Sequence, residues 1–295
     1  MLWDGNYLIV GELGLSDLIH IINIDENEYI RTVGENGFGP GEISGVHGME
    51  RDKTSGKFWV YDSEQKIFSK YDVFKTDKLA VNQIKQSEGL FLAVDMVWSS
   101  DTTLMTRRAD ENEKFVEYHI DGSILNTYGT WDSMIEEKDI PYNVISAVHQ
   151  GPLKSSPDYS KFVIAGVARD FIEILDKNSG DIISVRGPLS EIPEFIINHS
   201  AGYPMAQFNM SKRYTFYVDL YLEKEFIYTL YFGDKSEKLL GGELAKTILV
   251  FDYSGSIIRS YELDHSLIAF SVDEDGRRIF GITYDADPNI VVFYF

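Results

Sequence analysis

Two imidazoles and a carboxylate fall at the same step of three similar short segments. Gly45–Met49 (GVHGM), Ala93–Val97 (AVDMV) and Ala147–Gly151 (AVHQG) carry His47, Asp95 and His149 at their centres. Brought to one point, such groups could hold a divalent metal or a small polar ligand, or act as acid and base. They could equally line a water-filled channel and hydrogen-bond its solvent. Tyr217 or Asp219 offers the equivalent position further on, the register being open by one residue, and Phe270 offers the next. Trp98, Arg107 and Arg108 lie close in sequence, but the sequence does not fix where they point.

Other patterns point to turns. The loop Gly37–Gly41 (GFGPG) looks like a phosphate cradle, but a strand-like run follows it where a helix N-terminus is needed, and Pro40 removes a donor. A tight connector that uses glycine at positive φ is the better reading. The acidic turns at Asp25–Glu28, Asp273–Gly276 and Asp285–Asp287 lack the ligand spacing of a calcium loop and read as solvated turns. No G-x-S-x-G elbow, HExxH pair or S-x-x-K motif occurs, and the six histidines show no helical metal spacing.

Convergence of the three segments requires that they be equivalent strands of a repeat, and a repeat is present. A β-branched or aromatic run, a polar turn and a second run recur at Ile21–Gly34, Tyr118–Gly129, Ile172–Gly187 and Ile248–Leu263. Each reads as a β-hairpin. A strand-only spacing of roughly 40–50 residues indicates propeller blades. The expected fold is all-β: one six-bladed β-propeller over residues 1–295, built of four-stranded antiparallel blades, the last one incomplete. The blades fall at about 1–35, 44–86, 90–129, 145–187, 213–263 and 267–295. In this scheme Ile145–His149 is the innermost strand of the fourth blade. The matched residues would then ring the central channel, because the innermost strand of a blade faces the axis.

The first blade shows only the stub Met1–Trp3 before its second strand, and the sixth shows no fourth strand. An unpaired edge leaves open backbone groups. The expectation is that the sequence is shortened at its N-terminus, where any export signal or lipid anchor would lie; a tolerated three-stranded last blade is the alternative. Two long connections stand out, Trp131–Asn143 with a possible helical turn at Trp131–Lys138, and Gly187–Arg213. The second carries apolar and aromatic residues and is expected to pack across a face of the propeller. Residues Asp234–Lys246 read as an exposed insertion.

The composition suits such a fold, with 44% hydrophobic residues, 18 Tyr and 18 Phe. A net charge of −20 disfavours nucleic acid and anionic lipid as partners. The absence of cysteine excludes disulfides, thiol nucleophiles and cysteine-held metals. No window reaches the ~20 apolar residues of a membrane span. No leader is visible in the opening MLWDGNYLIVGE.

The stretch Arg31–Ile43 (RTVGENGFGPGEI) resembles the glycine-rich connector after the first blade of TolB-like six-bladed propellers from Bacteroides-type bacteria. Phe226–Asp264, with ILVFDYSGSIIRSYELD, is similar to that family's fifth blade, and Phe270–Asp285 to its sixth. The resemblance covers nearly the whole chain. It implies a propeller akin to NHL-repeat proteins, an exported or lipid-anchored location if a leader precedes the sequence and a cytoplasmic one otherwise, and no assigned activity. Two functions stay open. One is a binding or interaction scaffold, a monomer without cofactor, that takes a small polar ligand or an unknown protein partner at the channel mouth or long-loop face. The alternative is a hydrolase or lyase of the lactonase or streptogramin-lyase kind, with a divalent metal in the channel on His47, Asp95 and His149. Fold alone does not choose between them.

Overall fold

The computed structural model describes residues 1–12, 17–131, 140–284 and 289–295. The expected turn at Trp131–Lys138 falls outside these residues beyond Trp131, and the acidic turn at Asp285–Asp287 falls outside them altogether. The chain divides into two compact units, Met1–Glu88 and Gly89–Phe295.

The first unit holds two blades. One is β1 (Leu2–Asp4), β2 (Tyr7–Gly11), β3 (Asp17–Asn23) and β4 (Glu28–Glu35). The other is β5 (Gly48–Arg51), β6 (Lys57–Asp62), β7 (Ile67–Asp72) and β8 (Asn82–Lys85). Each is a four-stranded meander joined by antiparallel pairs. The N-terminal stub is therefore a strand, since Leu2, Trp3 and Asp4 pair with Ile9, Leu8 and Tyr7. Leu2, Ile9, Ile19 and Ile21 of the first sheet pack with Met49, Phe58 and Val60 of the second in one core.

The second unit holds four blades. The first is β9 (Ala93–Trp98), β10 (Thr103–Arg108), β11 (Glu113–His119) and β12 (Ile124–Thr130). A helix, α1 (Tyr142–Val148), leads into β13 (Leu153–Ser155), β14 (Lys161–Ala165), β15 (Phe171–Asp176) and β16 (Ile182–Arg186). The long connection that follows folds into a separate hairpin of β17 (Phe195–Asn198) and β18 (Met205–Phe208). Next come β19 (Tyr214–Leu222), β20 (Phe226–Lys235), the short helix α2 (Ser236–Leu240), β21 (Ala245–Asp252) and β22 (Ile257–Leu267). The final sheet is β23 (Ala269–Asp273), β24 (Arg278–Thr283) and β25 (Asn289–Tyr294), three strands among the described residues.

One strand expectation is corrected. Residues 145–149 are not the innermost strand of the fourth blade; that role belongs to β13, which pairs with β14. Val144, Ile145 and Val148 are buried at helical spacing while Ala147 is half-buried, so the apolar run serves one face of α1. The insertion after β20 is partly built in, since Ser236 and Ala245 are buried while Leu240 is exposed.

Turn chemistry sets the hairpins. In the turn after β21 the Asp252 carboxylate accepts from the Ser254 and Ser256 amides, and Gly255 sits at φ +84°. The turn after β15 repeats this with Asp176, the Asn178 amide and Gly180 at φ +78°. A short acidic side chain that caps its own turn and a glycine that accepts positive φ bring the strands back in register.

Two ion pairs tie the first two blades of this unit together. Glu173 on β15 is fully buried and accepts from Lys114 Nζ on β11 (2.9 Å), Ser184 Oγ (2.6 Å) and Arg186 Nη2 (2.6 Å). Reciprocally, Glu117 on β11 accepts from Lys177 after β15 (2.5 Å). Burial pushes the Glu117 pKa up, but hydrogen bonds from Lys177, Asn126 and Ser99 outweigh it, and the net shift is downward. Glu173→Ala strands the buried Lys114 ammonium and is expected to cost about 3–5 kcal/mol, read by chemical denaturation. A loss below about 1 kcal/mol would show that Lys114 finds water or another partner.

Candidate functional site

His47 lies in the first unit, immediately before β5, and is partly exposed. Its Nδ1 accepts from the Ser63 amide (3.2 Å) and stands 4.0 Å from Asp62 Oδ1. Asp62 is fully buried and accepts from the Ser44, Glu64 and Gln65 amides. Burial alone would raise its pKa, but these hydrogen bonds, Ser44's first, bring it below the usual value.

The other candidates lie in the second unit. Asp95 sits on β9 at a bulge, where the pairing with β10 slips between Met105 and Arg107, and its φ is +51°. Aspartate tolerates this left-handed conformation better than most residues. The bulge aims the carboxylate at Arg107, whose Nε (3.0 Å) and Nη2 (2.6 Å) both donate to Asp95 Oδ2. Arg107 Nη1 donates to the Ser146 carbonyl (3.0 Å) and to its hydroxyl (3.2 Å), which anchors α1 to the end of β10. Arg108 turns away to Asp110, and Trp98 is buried.

His149 caps the C-terminus of α1 and is fully buried. Its ring stacks on Trp131 with centroids 4.2 Å apart, and Phe171 packs beside it. Nδ1 lies 2.8 Å from the Ile145 carbonyl, and Nε2 faces Arg169 Nη1. A carbonyl can only accept and a guanidinium can only donate, so the ring is neutral with its proton on Nδ1. Burial drives its pKa down to about 3 against a raising backbone hydrogen bond, and the charges of Arg169, Arg107 and Arg186 add to the fall. Both nitrogens are engaged, so a metal would have to displace Arg169.

Tyr217 and Asp219 lie on β19, where the pairing with β20 is irregular. Tyr217 is buried and donates to Asp170 Oδ1 (3.0 Å), and burial pushes both groups' pKa values up. Asp219 Oδ2 accepts from the Phe270 amide (3.1 Å), which joins the last two blades. Within this unit each candidate thus has its own partner: Asp95 with Arg107, His149 with Arg169, Tyr217 with Asp170, Asp219 with the Phe270 backbone.

A cavity of about 750 Å³ opens in this unit. Asp95 and Arg107 form one wall, Asn143 and Ala147 of α1 a second, and Tyr203, Pro204, Met205, Ala206 and Phe208 of the β17–β18 hairpin a third. The long connection thus covers this region, as its apolar content leads one to expect. Asn143 Nδ2 donates to the Pro204 carbonyl and pins the hairpin to α1. Arg213, just before β19, also lines the cavity, with its guanidinium carbon 4.8 Å from the centre of the Phe208 ring. It also borders a smaller cavity of about 360 Å³ that carries Glu191 and Glu194. Sequence reasoning passed over Arg213 and α1. The signal for α1 was the helical spacing of Val144, Ile145 and Val148 after Pro141; nothing in the sequence marks Arg213.

A family model described as TolB-like 6-blade propeller-like matches residues 1–275. Among solved structures, a member of the DUF4221 family from Bacteroides vulgatus superposes with a TM-score of 0.59 at 11% identity, covering 98% of this chain and 90% of its own. A putative exported protein from Bacteroides fragilis gives 0.55 at 12% identity, over 95% of this chain and 77% of that one. These two show the shared fold. No curated protein matches the sequence.

His149 makes the fold sensitive to acid. Its folded pKa lies below the ordinary ~6.5, so its contribution is complete above that pH and is lost as pH falls toward 3. Between pH 6.5 and 5 the unfolding free energy should fall by up to about 1.4 kcal/mol per pH unit. His149→Gln should flatten that slope in denaturation curves at pH 7, 6 and 5, although the variant starts less stable; an unchanged slope would assign the effect elsewhere.

Proposed function

The chain belongs to the TolB-like six-bladed propellers, and from that premise we propose that it works by binding, with a small ligand taken up in the cavity beneath the β17–β18 hairpin. The observation that carries this reading is the cavity itself. It is large enough for a small organic molecule, its walls are mostly apolar, and a few polar groups converge on it. The hairpin that forms one wall is an insertion between two blades, and long insertions on a rigid scaffold are where binding surfaces are commonly built. Tyr203 and Met205 remain exposed on it and offer apolar contact at the mouth.

The exported B. fragilis neighbour and the family resemblance favour the cell envelope or periplasm. Among the described residues no helix is long and apolar enough to cross a membrane. The surplus of acidic residues disfavours a polyanionic partner.

Nile red, an uncharged dye that brightens in apolar surroundings, tests the site. Fluorescence should rise with the unaltered protein and be lost in both Ala147→Trp and Ala206→Trp, which fill the cavity from α1 and from β18. Unfolding curves would verify that each variant is folded. Enhancement that survives both substitutions, or none at all, would overturn the reading. So would lactone hydrolysis that requires Ca²⁺, Mn²⁺ or Zn²⁺ and is lost in Asp95→Asn, because that result would mark a metal enzyme.

A further inference from the structure

We propose that the cavity selects an organic carboxylate with an apolar body and that Arg213 is the residue that binds its charge. This rests on the cavity being a binding site and adds the class of ligand.

Two cations and one anion line the space: Arg107, Arg213 and Asp95. Arg107 is already committed. Its Nε and Nη2 go to Asp95 and its Nη1 to Ser146, so it neutralises the one carboxylate present and has little left to offer. Arg213 differs. Its Nε is buried and has no hydrogen-bond partner among the described residues. Its Nη1 has the thioether of Met210 at 3.8 Å, a weak acceptor. Burial lowers its pKa with no carboxylate acting against the shift. Its backbone is held, since its amide donates to the Asn209 carbonyl and its carbonyl accepts from Ser236. The Phe208 ring lies against the guanidinium and limits its tilt.

A half-buried guanidinium whose covered Nε has no acceptor is a costly arrangement unless one arrives. An arginine fork can offer two parallel donors, Nε and one Nη, to the two oxygens of a carboxylate, and Arg213 stands at the cavity wall. The acids of the smaller cavity are not placed to serve. Glu194 is paired with Lys212 at 3.0 Å, and no hydrogen bond joins Arg213 to Glu191 among the described residues. The rest of the ligand follows from the walls. Val94, Ala147, Pro204 and Phe208 accept an aliphatic or aromatic body, and Gln150, exposed beside α1, can donate one more hydrogen bond. A net positive lining in a chain of charge −20 is itself a selection for anions at this one place.

Displacement of Nile red by matched acids and amides tests the inference: octanoate, 4-phenylbutanoate and benzoate against octanamide, 4-phenylbutanamide and benzamide. At least one acid should displace the dye about tenfold more strongly than its amide. Arg213→Gln should erase that preference, read as the ratio of acid to amide displacement. Arg213→Lys, which keeps the charge but loses the fork, should retain part of it. Acids and amides that displace alike, a preference that survives in Arg213→Gln, or a panel in which nothing displaces the dye would each overturn the inference. Dye binding that is insensitive to Ala147→Trp and Ala206→Trp would instead remove the site itself, so the two failures are distinguishable.

Discussion

A propeller blade is covered on both faces by its neighbours, and that double burial is the constraint on which the rest of this structure depends. β14 and β15 show it most directly: apart from Lys161 and Asp176 at their outer ends, every residue in these strands is buried. No period of two survives there, because neither face meets water. The outermost strand β16 is released from the constraint, and Ile183 and Val185 stand partly in solvent. A polar group can enter the middle strands only with its partner. Glu173 and Glu117 enter that way, and their lysines come from the adjoining blade, so each carboxylate fixes one sheet against the next.

The same constraint sends the acidic residues outward into the turns. Asp52, Asp72, Asp121, Asp158, Asp176 and Asp252 each accept from the amide two residues ahead. A carboxylate in this position replaces the next residue's claim on the backbone and stiffens the reversal. Six of the 47 acidic residues are thus placed by how the hairpins are closed. Against the chain's net charge the positive lining of one cavity stands out.

The blades were legible in the sequence because their information is local. An Asp–Gly turn between two β-branched runs, as at Asp252–Gly255, specifies a hairpin with no help from the rest of the chain. What was illegible is set by distant contacts. The run Val144–Val148 is five residues of small and apolar type, which a strand and a helix accept equally. The choice is made by Arg107, thirty-odd positions earlier, whose guanidinium binds Ser146. Placing that run on a strand put His149 at the same step as His47 and Asp95. The helix takes it instead to a dry stack on Trp131. Arg213 had no signal at all, because its meaning lies in what it faces: a helix and a hairpin that meet only in the folded chain.

The cavity is then the end of a sequence of dependencies that starts at one backbone angle. Asp95 at positive φ bulges β9 and turns its carboxylate to Arg107. Arg107, held on two nitrogens, uses the third to seat α1 through Ser146. Ser146 Oγ donates in turn to the Arg108 carbonyl (2.8 Å), which locks the second half of the helix against β10. From the same helix Asn143 reaches the Pro204 carbonyl and holds the hairpin. The hairpin ends on Phe208, against which Arg213 lies. Each contact is an ordinary hydrogen bond, ion pair or ring contact, yet together they relate the wall at Asp95 to the guanidinium at Arg213 across more than a hundred residues of chain. Asp95, which the sequence offers as a ligand for a metal, acts in this arrangement as the residue that positions the others. The half-buried guanidinium of Arg213 is kept against Phe208 at the cavity wall because the elements around it are held this way: a mobile hairpin would let it swing fully into water.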